Sequence, residues 1–241
     1  GGPTGLMAAE VLARNGLRVD LFDAMPSVGR KFLLAGKGGL NLTHSEDFEP
    51  FVARFGTTAE FWRAPLQEFG AAQLRSWAGG LGIPTFVGSS GRVFPQQMKA
   101  APLLRAWLQR LRAMGVRIHT RHRLTSVAPG AACFATPSGE VTVSPDAVLL
   151  ALGGASWPAL GSDGAWVPWL CAAGVAVAPL RPSNCGFDVT RVGADGGLIA
   201  GWTGHFRSRF AGAPLRNVRL QWPLRDGRTA GQAGEFVITD G

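Results

Sequence analysis

The chain is poor in the residues that build disulfide frameworks, zinc sites and membrane spans. Its 241 residues include three cysteines, which are too few and too scattered for a disulfide framework or a zinc site, and they form no Cys-x-x-Cys pair. The sequence therefore predicts no metal site, excludes a redox-active pair of that type and favours a reducing, cytoplasmic location. Because no uncharged apolar run reaches about 18 residues, we also expect no membrane span.

Acidic residues are absent from 69 to 139, and lysine is scarce throughout. The net charge of +8 rests on 21 arginines against 3 lysines. A basic stretch of this kind can form a nucleic-acid face, or else a solvated helix face or a binding field for a polyanionic cofactor. Since its charges are spread over several predicted elements, without the aromatic residues of a single-strand platform, we do not expect a nucleic-acid partner.

The first residues resemble part of a dinucleotide-binding fingerprint. Gly2 and Gly5 have the spacing of the second and third glycines of G-x-G-x-x-G, whose first glycine and leading strand would precede Gly1. A helical run follows, and then an apolar strand that ends in Asp23, where a carboxylate can accept hydrogen bonds from a ribose hydroxyl. The free amides and the dipole of the helix favour phosphate. The alternative is an ordinary strand-to-helix turn with Asp23 as a solvated strand end.

The order of predicted elements is typical of a doubly wound sheet with an antiparallel crossover. Residues 25–45 contain many glycines and are predicted to be a long loop, and the aromatic residues of the short helices that follow are predicted to be core. Ala147–Leu152 is a continuous apolar run, as expected of a buried parallel strand. The predicted helices are Leu6–Asn15, Phe51–Phe55, Thr58–Phe69, Ala71–Leu81 and Lys99–Met114, and the other predicted strands are Leu17–Phe22, Val116–His119, Leu124–Ala128, Ala132–Thr136 and Val141–Val143.

Four blocks of sequence carry a more specific signal. They read SVGRKFLLAGKGGLNLTHS (27–45), GRVFP (91–95), ALGGASWP (151–158) and LRPSNCGF (180–187). In this order they resemble the bacterial BaiN-like flavoproteins, a group of NAD(P)/FAD-dependent oxidoreductases. Most relatives have a G-G-G-R-C-N-like sequence where this chain has Gly36-Lys37-Gly38-Gly39-Leu40-Asn41, which indicates a subgroup with little assigned chemistry.

The resemblance implies an α/β fold. It is a doubly wound, Rossmann-like FAD/NAD(P)-binding domain with a three-layer ββα architecture, interrupted by an inserted β-rich domain. It implies that residues 1–181, with a helical segment at 47–115, are the N-terminal part of the FAD-binding domain. Near Pro182 the sequence changes to short strand-like pieces with scattered Gly, Pro and Arg, and this change marks the domain boundary. Residues 182–241 would begin the incomplete inserted substrate domain. Because relatives are longer at both ends, the resemblance also implies a fragment that would bind FAD poorly by itself.

The cofactor implied by the resemblance is FAD, with NAD(P)H as a possible electron donor. Arg30 and Lys31 would reach ribose or phosphate, although they could instead be solvated loop charges. The implied positions around FAD are Gly2, Pro3 and Gly5 at the pyrophosphate, Asp23 at the adenosine ribose, Gly36, Lys37, Gly38, Gly39, Asn41 and Thr43 along the flavin, Leu124 beside the adenine, and Gly153 and Gly154 in a tight turn near the cofactor.

The candidates for a catalytic role are His44 and Lys37 on the glycine-rich loop. A histidine can exchange protons near neutral pH, but a loop histidine can also simply hydrogen-bond the backbone around it. Cys185 could face the site or be an inert buried thiol. The resemblance implies an FAD-dependent oxidoreductase that reduces a small-molecule substrate, such as an activated C=C bond, with NAD(P)H. The alternatives are an oxidase that uses oxygen and an RNA-associated, tRNA-modifying flavoprotein.

Overall fold

The computed structural model describes residues 1–35, 39–181, 190–223 and 226–239. Within them the chain forms eight α-helices, at Pro3–Arg14 (α1), Arg30–Ala35 (α2), Phe48–Ala53 (α3), Ala59–Glu68 (α4), Ala71–Gly79 (α5), Ala100–Ala113 (α6), Trp166–Ala172 (α7) and Gly204–Phe210 (α8). The strands described are Asp20–Asp23 (β1), Thr43–His44 (β2), Thr85–Val87 (β3), Arg92–Pro95 (β4), Arg117–Thr120 (β5), Arg123–Ala128 (β6), Ala131–Thr136 (β7), Gly139–Val143 (β8), Thr190–Val192 (β9), Leu198–Ala200 (β10), Pro214–Pro223 (β11) and Thr229–Val237 (β12).

The chain divides into two compact units, Gly1–Leu180 and Arg181–Gly241. In the first unit, β1 and β5 pair in parallel, β2, β4 and β3 form a small antiparallel sheet, and β6, β7 and β8 form a meander. In the second unit, β9 pairs with β10 and β11 pairs with β12, in each case antiparallel. No helix among the described residues is long and apolar enough to span a bilayer.

Helix α1 begins at Pro3, three residues before its predicted start at Leu6, and ends at Arg14, one residue before its predicted end. Pro3 occupies the first helical position, where the absence of an N–H costs nothing. Gly16, just past the end of the helix, has a φ of 78°, a left-handed conformation that glycine adopts without strain. The apolar side of α1 lies in the main core with residues of β1, α6 and the adjoining loops, namely Leu6, Ala9, Leu21, Val28, Leu104, Trp107, Leu111 and Val116.

Three layers meet at β1. Neighbouring strand residues point to opposite faces, so Leu21 packs into the core with α1 and α6 while Phe22 faces the meander. The ring of Phe22 stacks on Phe134 of β7, with centroids 4.2 Å apart, and on His119 of β5, with centroids 4.6 Å apart. Helices, parallel strands and meander therefore form the predicted ββα arrangement.

The predicted buried strand at 147–152 is wrong for the described residues. No strand is formed there, and the side chains of Val148, Leu149 and Leu150 are 41%, 58% and 38% exposed. A parallel strand needs a hydrogen-bonded neighbour along at least one edge, and no described strand supplies one.

Two further sequence-based expectations are also wrong. Residues 25–45 are not a continuous loop, because they contain α2 and β2. The aromatic residues of α4 are not core, since Phe61 is 72% and Trp62 39% exposed. A short apolar pattern shows which residues share a helix face but does not show whether another element covers that face.

Candidate cofactor site

The turn that leads into α1 is built for close approach of a ligand. Gly2 is the N-cap of the helix, and its carbonyl accepts the first helical hydrogen bond from Leu6 N at 2.9 Å. A Cβ added at Gly2 would meet no atom of the described chain within 4 Å, whereas one at Gly5 would lie 3.5 Å from Leu21 Cδ1 and 3.6 Å from Ala151 Cβ. Gly2 thus keeps an open backbone, as the second glycine of the fingerprint should. At Gly5 a methyl group would make only ordinary contacts, so the packing there does not itself require glycine.

Gly1 has a packing requirement that the sequence did not reveal. A Cβ at this position would lie 2.1 Å from Asp23 Oδ2 and 2.7 Å from Val28 Cγ1, so no side chain fits. Its carbonyl accepts a hydrogen bond from Gly29 N at 2.9 Å. The fingerprint leaves this position variable, and its spacing therefore gave no signal.

Asp23 ends β1 directly beside the glycine turn. Its Oδ1 accepts a hydrogen bond from Met25 N at 2.8 Å, and its Oδ2 lies 3.4 Å from the backbone nitrogen of Gly1. The backbone carbonyl of Asp23 accepts from His122 N at 2.9 Å. These contacts fix the carboxylate at the carboxyl end of the parallel strands, where open α/β sheets bind their ligands.

The first residues of α2 supply the positive charge. The Nε of Arg30 is buried and has no hydrogen-bond partner among the described residues. A buried N–H donor in this state normally signals a missing acceptor. Lys31 Nζ donates to Ser156 Oγ, so the Gly29-Arg30-Lys31 block meets the block that begins at Ala151.

Gly153 and Gly154 are predicted to form a tight turn near the cofactor, and their backbone is held by two side chains. Gly153 has a φ of 75°, and its carbonyl accepts from the indole of Trp166 at 2.9 Å. The carbonyl of Gly154 accepts from the buried Ser162 hydroxyl at 3.0 Å. A Cβ at Gly154 would meet no described atom within 4 Å, so this side of the turn remains open.

Leu124 lies near the start of β6, and the strand register is irregular directly after it. Leu124 is opposite Phe134 of β7, and the pairing shifts before Ser126. Such an irregularity leaves backbone groups out of the ladder, as contact with an adenine ring would require.

The loop candidates have a different setting. Thr43 and His44 form β2 and pair with β4. With the proton on Nε2, His44 donates to the carbonyl of Ser90 at 3.0 Å, and its Nδ1 accepts from Glu46 N at 3.2 Å. Both ring nitrogens are therefore engaged by the backbone.

The remaining loop candidates are placed only in part. Asn41 is exposed, and Gly39 has a φ of 113° with the methyl of Met98 packed where a Cβ would stand. Gly36, Lys37, Gly38 and Cys185 lie outside the described residues. Among the described residues, no group of three His, Cys, Asp or Glu side chains could hold a metal ion.

A known protein family matches this chain over nearly its whole length. A sequence model of the HI0933-like protein Rossmann domain matches residues 1–233. The chain belongs to this family. The HI0933-like family, which includes the BaiN-like flavoproteins, consists of FAD-dependent oxidoreductases, and FAD is its cofactor.

Two individual proteins show the extent of the similarity. The 3-dehydro-bile acid delta(4,6)-reductase of Clostridium scindens is 29% identical over 185 residues, which are 76% of this chain and 44% of the reductase. The HI0933-like chain thus spans less than half the length of this curated relative. The crystal structure of THI4 from Thermovibrio ammonificans aligns with a TM-score of 0.42 at 17% identity, over 73% of this chain and 61% of the other.

The described residues fit FAD at its adenosine and pyrophosphate end. The turn at Gly2 leaves room for a pyrophosphate, Asp23 holds a carboxylate beside that turn, and Arg30 has a buried donor without an acceptor. An oxygen-rich dinucleotide would meet each of these features. The placement of the pyrophosphate at Gly2, Pro3 and Gly5, and of the ribose at Asp23, stays a prediction with which this geometry is compatible.

Proposed function

We propose that the protein is an FAD-dependent oxidoreductase that reduces an activated C=C bond of a small molecule with electrons from NAD(P)H. Membership of the HI0933-like family supports the flavin chemistry. The name of the similar Clostridium scindens protein, a reductase of a 3-dehydro-bile acid at the delta(4,6) positions, supports a conjugated alkene as the substrate class. The observation that carries the proposal is that the Gly1–Gly5 turn lies directly against the Asp23 carboxylate, an arrangement that suits FAD.

The role of Asp23 is to select the nucleotide. A carboxylate accepts hydrogen bonds from a free ribose hydroxyl and repels a 2′-phosphate. The glycine turn should therefore hold FAD and not NADPH. Because FAD would occupy the turn, a nicotinamide donor would dock elsewhere. When bound, FAD supplies the two-electron transfer between the nicotinamide and the substrate.

The other residues would position the cofactor. The open backbone at Gly2 would let α1 direct its free amides at the pyrophosphate, and Arg30 would donate its buried N–H to an oxygen of the dinucleotide. The engaged nitrogens of His44 favour a structural role for that ring, so a proton for the substrate would come from another group or from water.

The test is a reductive titration of the full-length protein under nitrogen. The purified protein should show the visible spectrum of oxidised flavin and lose it on addition of NADH or NADPH. A steroid with a C=C bond conjugated to a 3-keto group should then restore the oxidised spectrum without oxygen. Reoxidation by oxygen alone would support an oxidase instead, and a protein without flavin would contradict the proposal.

A nucleic-acid role has a separate control. Three arginines of the basic stretch are already paired with carboxylates, Arg110 with Glu10, Arg117 with Asp20 and Arg123 with Asp163. This pairing reduces the positive field available to phosphates. We expect no copurified RNA, and RNA binding with a steep salt dependence would favour the RNA-associated alternative.

A further inference from the structure

Two residues other than glycine adopt a left-handed backbone in the described chain. Met98 has a φ of 60° and Arg121 a φ of 59°. This conformation is uncommon for residues with a Cβ and persists only where the surroundings hold it, often at ligand sites. The two residues differ in what holds them.

Met98 is explained by its own contacts. Its N–H donates to Pro95 O at 2.8 Å, its carbonyl accepts from Leu40 N at 2.9 Å, and its methyl packs closely over Gly39. Backbone and side chain both contribute to the fold at this position.

Arg121 is explained only by its backbone. Its N–H donates to Met25 O at 3.0 Å, and the next residue donates to Asp23 O at 2.9 Å, so the chain needs a tight turn here. Glycine would make that turn without strain. The exposed guanidinium of Arg121 has no hydrogen bond, ion pair or ring contact in the part of the chain that is described.

The position of Arg121 gives the side chain a use. Asp23 at the end of β1 is in register with Thr120 at the end of β5, and Arg121 follows Thr120 directly. Leu124, three residues further on, begins the irregular stretch of β6. Arg121 therefore lies between the acid assigned to the ribose and the strand assigned to the adenine.

We propose that Arg121 is a further binding residue for the adenosine half of FAD, with its planar guanidinium stacked on the adenine ring. Arginine stacks on planar rings and is attracted to their π-faces, which lysine does less well. The inference rests on FAD as the cofactor and not on the proposed substrate.

The test compares variants of the full-length protein after removal of flavin. Arg121→Asn removes the guanidinium but tolerates the left-handed backbone, and Arg121→Lys keeps the charge without the plane. Arg112→Gln on α6 is the matched control, because it removes one exposed positive charge elsewhere. Binding of FAD and of ADP is measured by titration, and stability by the melting temperature of the apoprotein.

Arg121→Asn should raise the dissociation constants of both FAD and ADP about tenfold, without lowering the melting temperature. Arg121→Lys should lie between Arg121→Asn and the wild type, and Arg112→Gln should match the wild type.

Wild-type affinity in Arg121→Asn would overturn the inference, as would a loss for FAD without a loss for ADP. A lower melting temperature with a parallel loss of affinity would assign the arginine to the fold instead. If the wild-type protein bound no FAD, the proposed function would fail together with the inference, whereas normal binding by Arg121→Asn would leave the proposed function intact.

Discussion

The two halves of helix α1 satisfy opposite requirements. At its N-terminal end, Gly1, Gly2 and Gly5 bring backbone and no side chains, and the surface at Gly2 is open. Five residues past Gly5, Glu10 is fully buried. The first half is shaped for a ligand, and the second is locked into the protein.

The second half is held in place by hydrogen-bond donors that surround the carboxylate of Glu10. Glu10 Oε2 accepts from Trp107 Nε1 at 2.6 Å and from Trp77 Nε1 at 3.1 Å, and Oε1 accepts from Arg110 Nη1 at 3.1 Å and also from Arg14. The donors come from α1, α5 and α6. Because a buried carboxylate must be paired, this cluster fixes the position of α1 while its glycine end stays free for the cofactor.

The largest effect should follow from removing the charge of Glu10. Glu10→Gln leaves Arg110 without its buried partner and should lower the free energy of unfolding by about 3–5 kcal/mol. Urea unfolding of the full-length protein measures the change. Arg14→Ala is the control, since Arg14 is 53% exposed and its removal should cost no more than about 0.5 kcal/mol. Equal effects of the two changes would contradict a structural role for the buried carboxylate.

An added methyl group at Gly1 should affect both stability and binding. Gly1→Ala would place a Cβ 2.1 Å from Asp23 Oδ2 and 2.8 Å from Asp23 Cβ, so the backbone itself must shift. We expect a loss of about 1–3 kcal/mol in unfolding free energy, as for other overpacked sites, with a weaker affinity for FAD. Gly16→Ala is the control for replacing a glycine in a turn elsewhere in the chain. It should leave FAD affinity unchanged.

The sequence predicts the two halves of α1 unequally well. Gly2 and Gly5 have the spacing of a known ligand-binding turn, so the turn and Asp23 can be recognised from spacing. Glu10 in a helical pattern looks like an ordinary solvated charge, because its burial depends on Trp77 and Trp107, which are distant in sequence.

Distant contacts also explain the other failures of prediction. The apolar run at 147–152 has the composition of a buried strand, but a strand requires a partner that the composition cannot reveal. Gly1 is required by Asp23 and Val28, to which it comes close only in the folded chain. Most helices and the glycine turn with Asp23 can therefore be predicted from the sequence. Features that depend on which distant segments come into contact cannot.

Loss of the carboxylate at Asp23 should weaken binding with little effect on folding. Asp23→Ala in the full-length protein should reduce FAD affinity by about 1–2 kcal/mol, the scale of a lost hydrogen bond to a charged group. Fluorescence titration of the apoprotein with FAD measures the change. Glu60→Ala removes an exposed carboxylate from α4 and should bind FAD normally. Unchanged affinity in Asp23→Ala would remove this residue from the site.

The smallest expected effect concerns Asp20, at the other end of β1, and its contribution to the free energy of unfolding at low pH. Burial raises the pKa of the Asp20 carboxyl, but hydrogen bonds from Arg117 and His119 outweigh it, so the pKa lies below its ordinary value. A lowered carboxyl pKa gives stability that is present above the unfolded-state pKa of about 4 and is lost as the pH falls through the folded-state value.

Asp20→Asn should accordingly flatten the decline in unfolding free energy below about pH 4 by no more than about 1 kcal/mol, since the pair is partly exposed. Urea unfolding at pH 6 and at successively lower pH measures it, with FAD affinity at neutral pH unchanged. If the unfolding free energy of Asp20→Asn declined below pH 4 as it does in the wild type, the Asp20 ion pair would not be the cause of that decline.

The most direct test of the account is the FAD affinity of Gly2→Ala in the full-length protein. Gly2 has a φ of –80°, which alanine adopts freely, and no described atom lies within 4 Å of the added Cβ. If the open turn receives the pyrophosphate, the apoprotein should melt at the wild-type temperature while the dissociation constant for FAD rises at least about tenfold. A Gly2→Ala protein that folds normally and binds FAD with wild-type affinity would contradict the assignment of this turn to the cofactor.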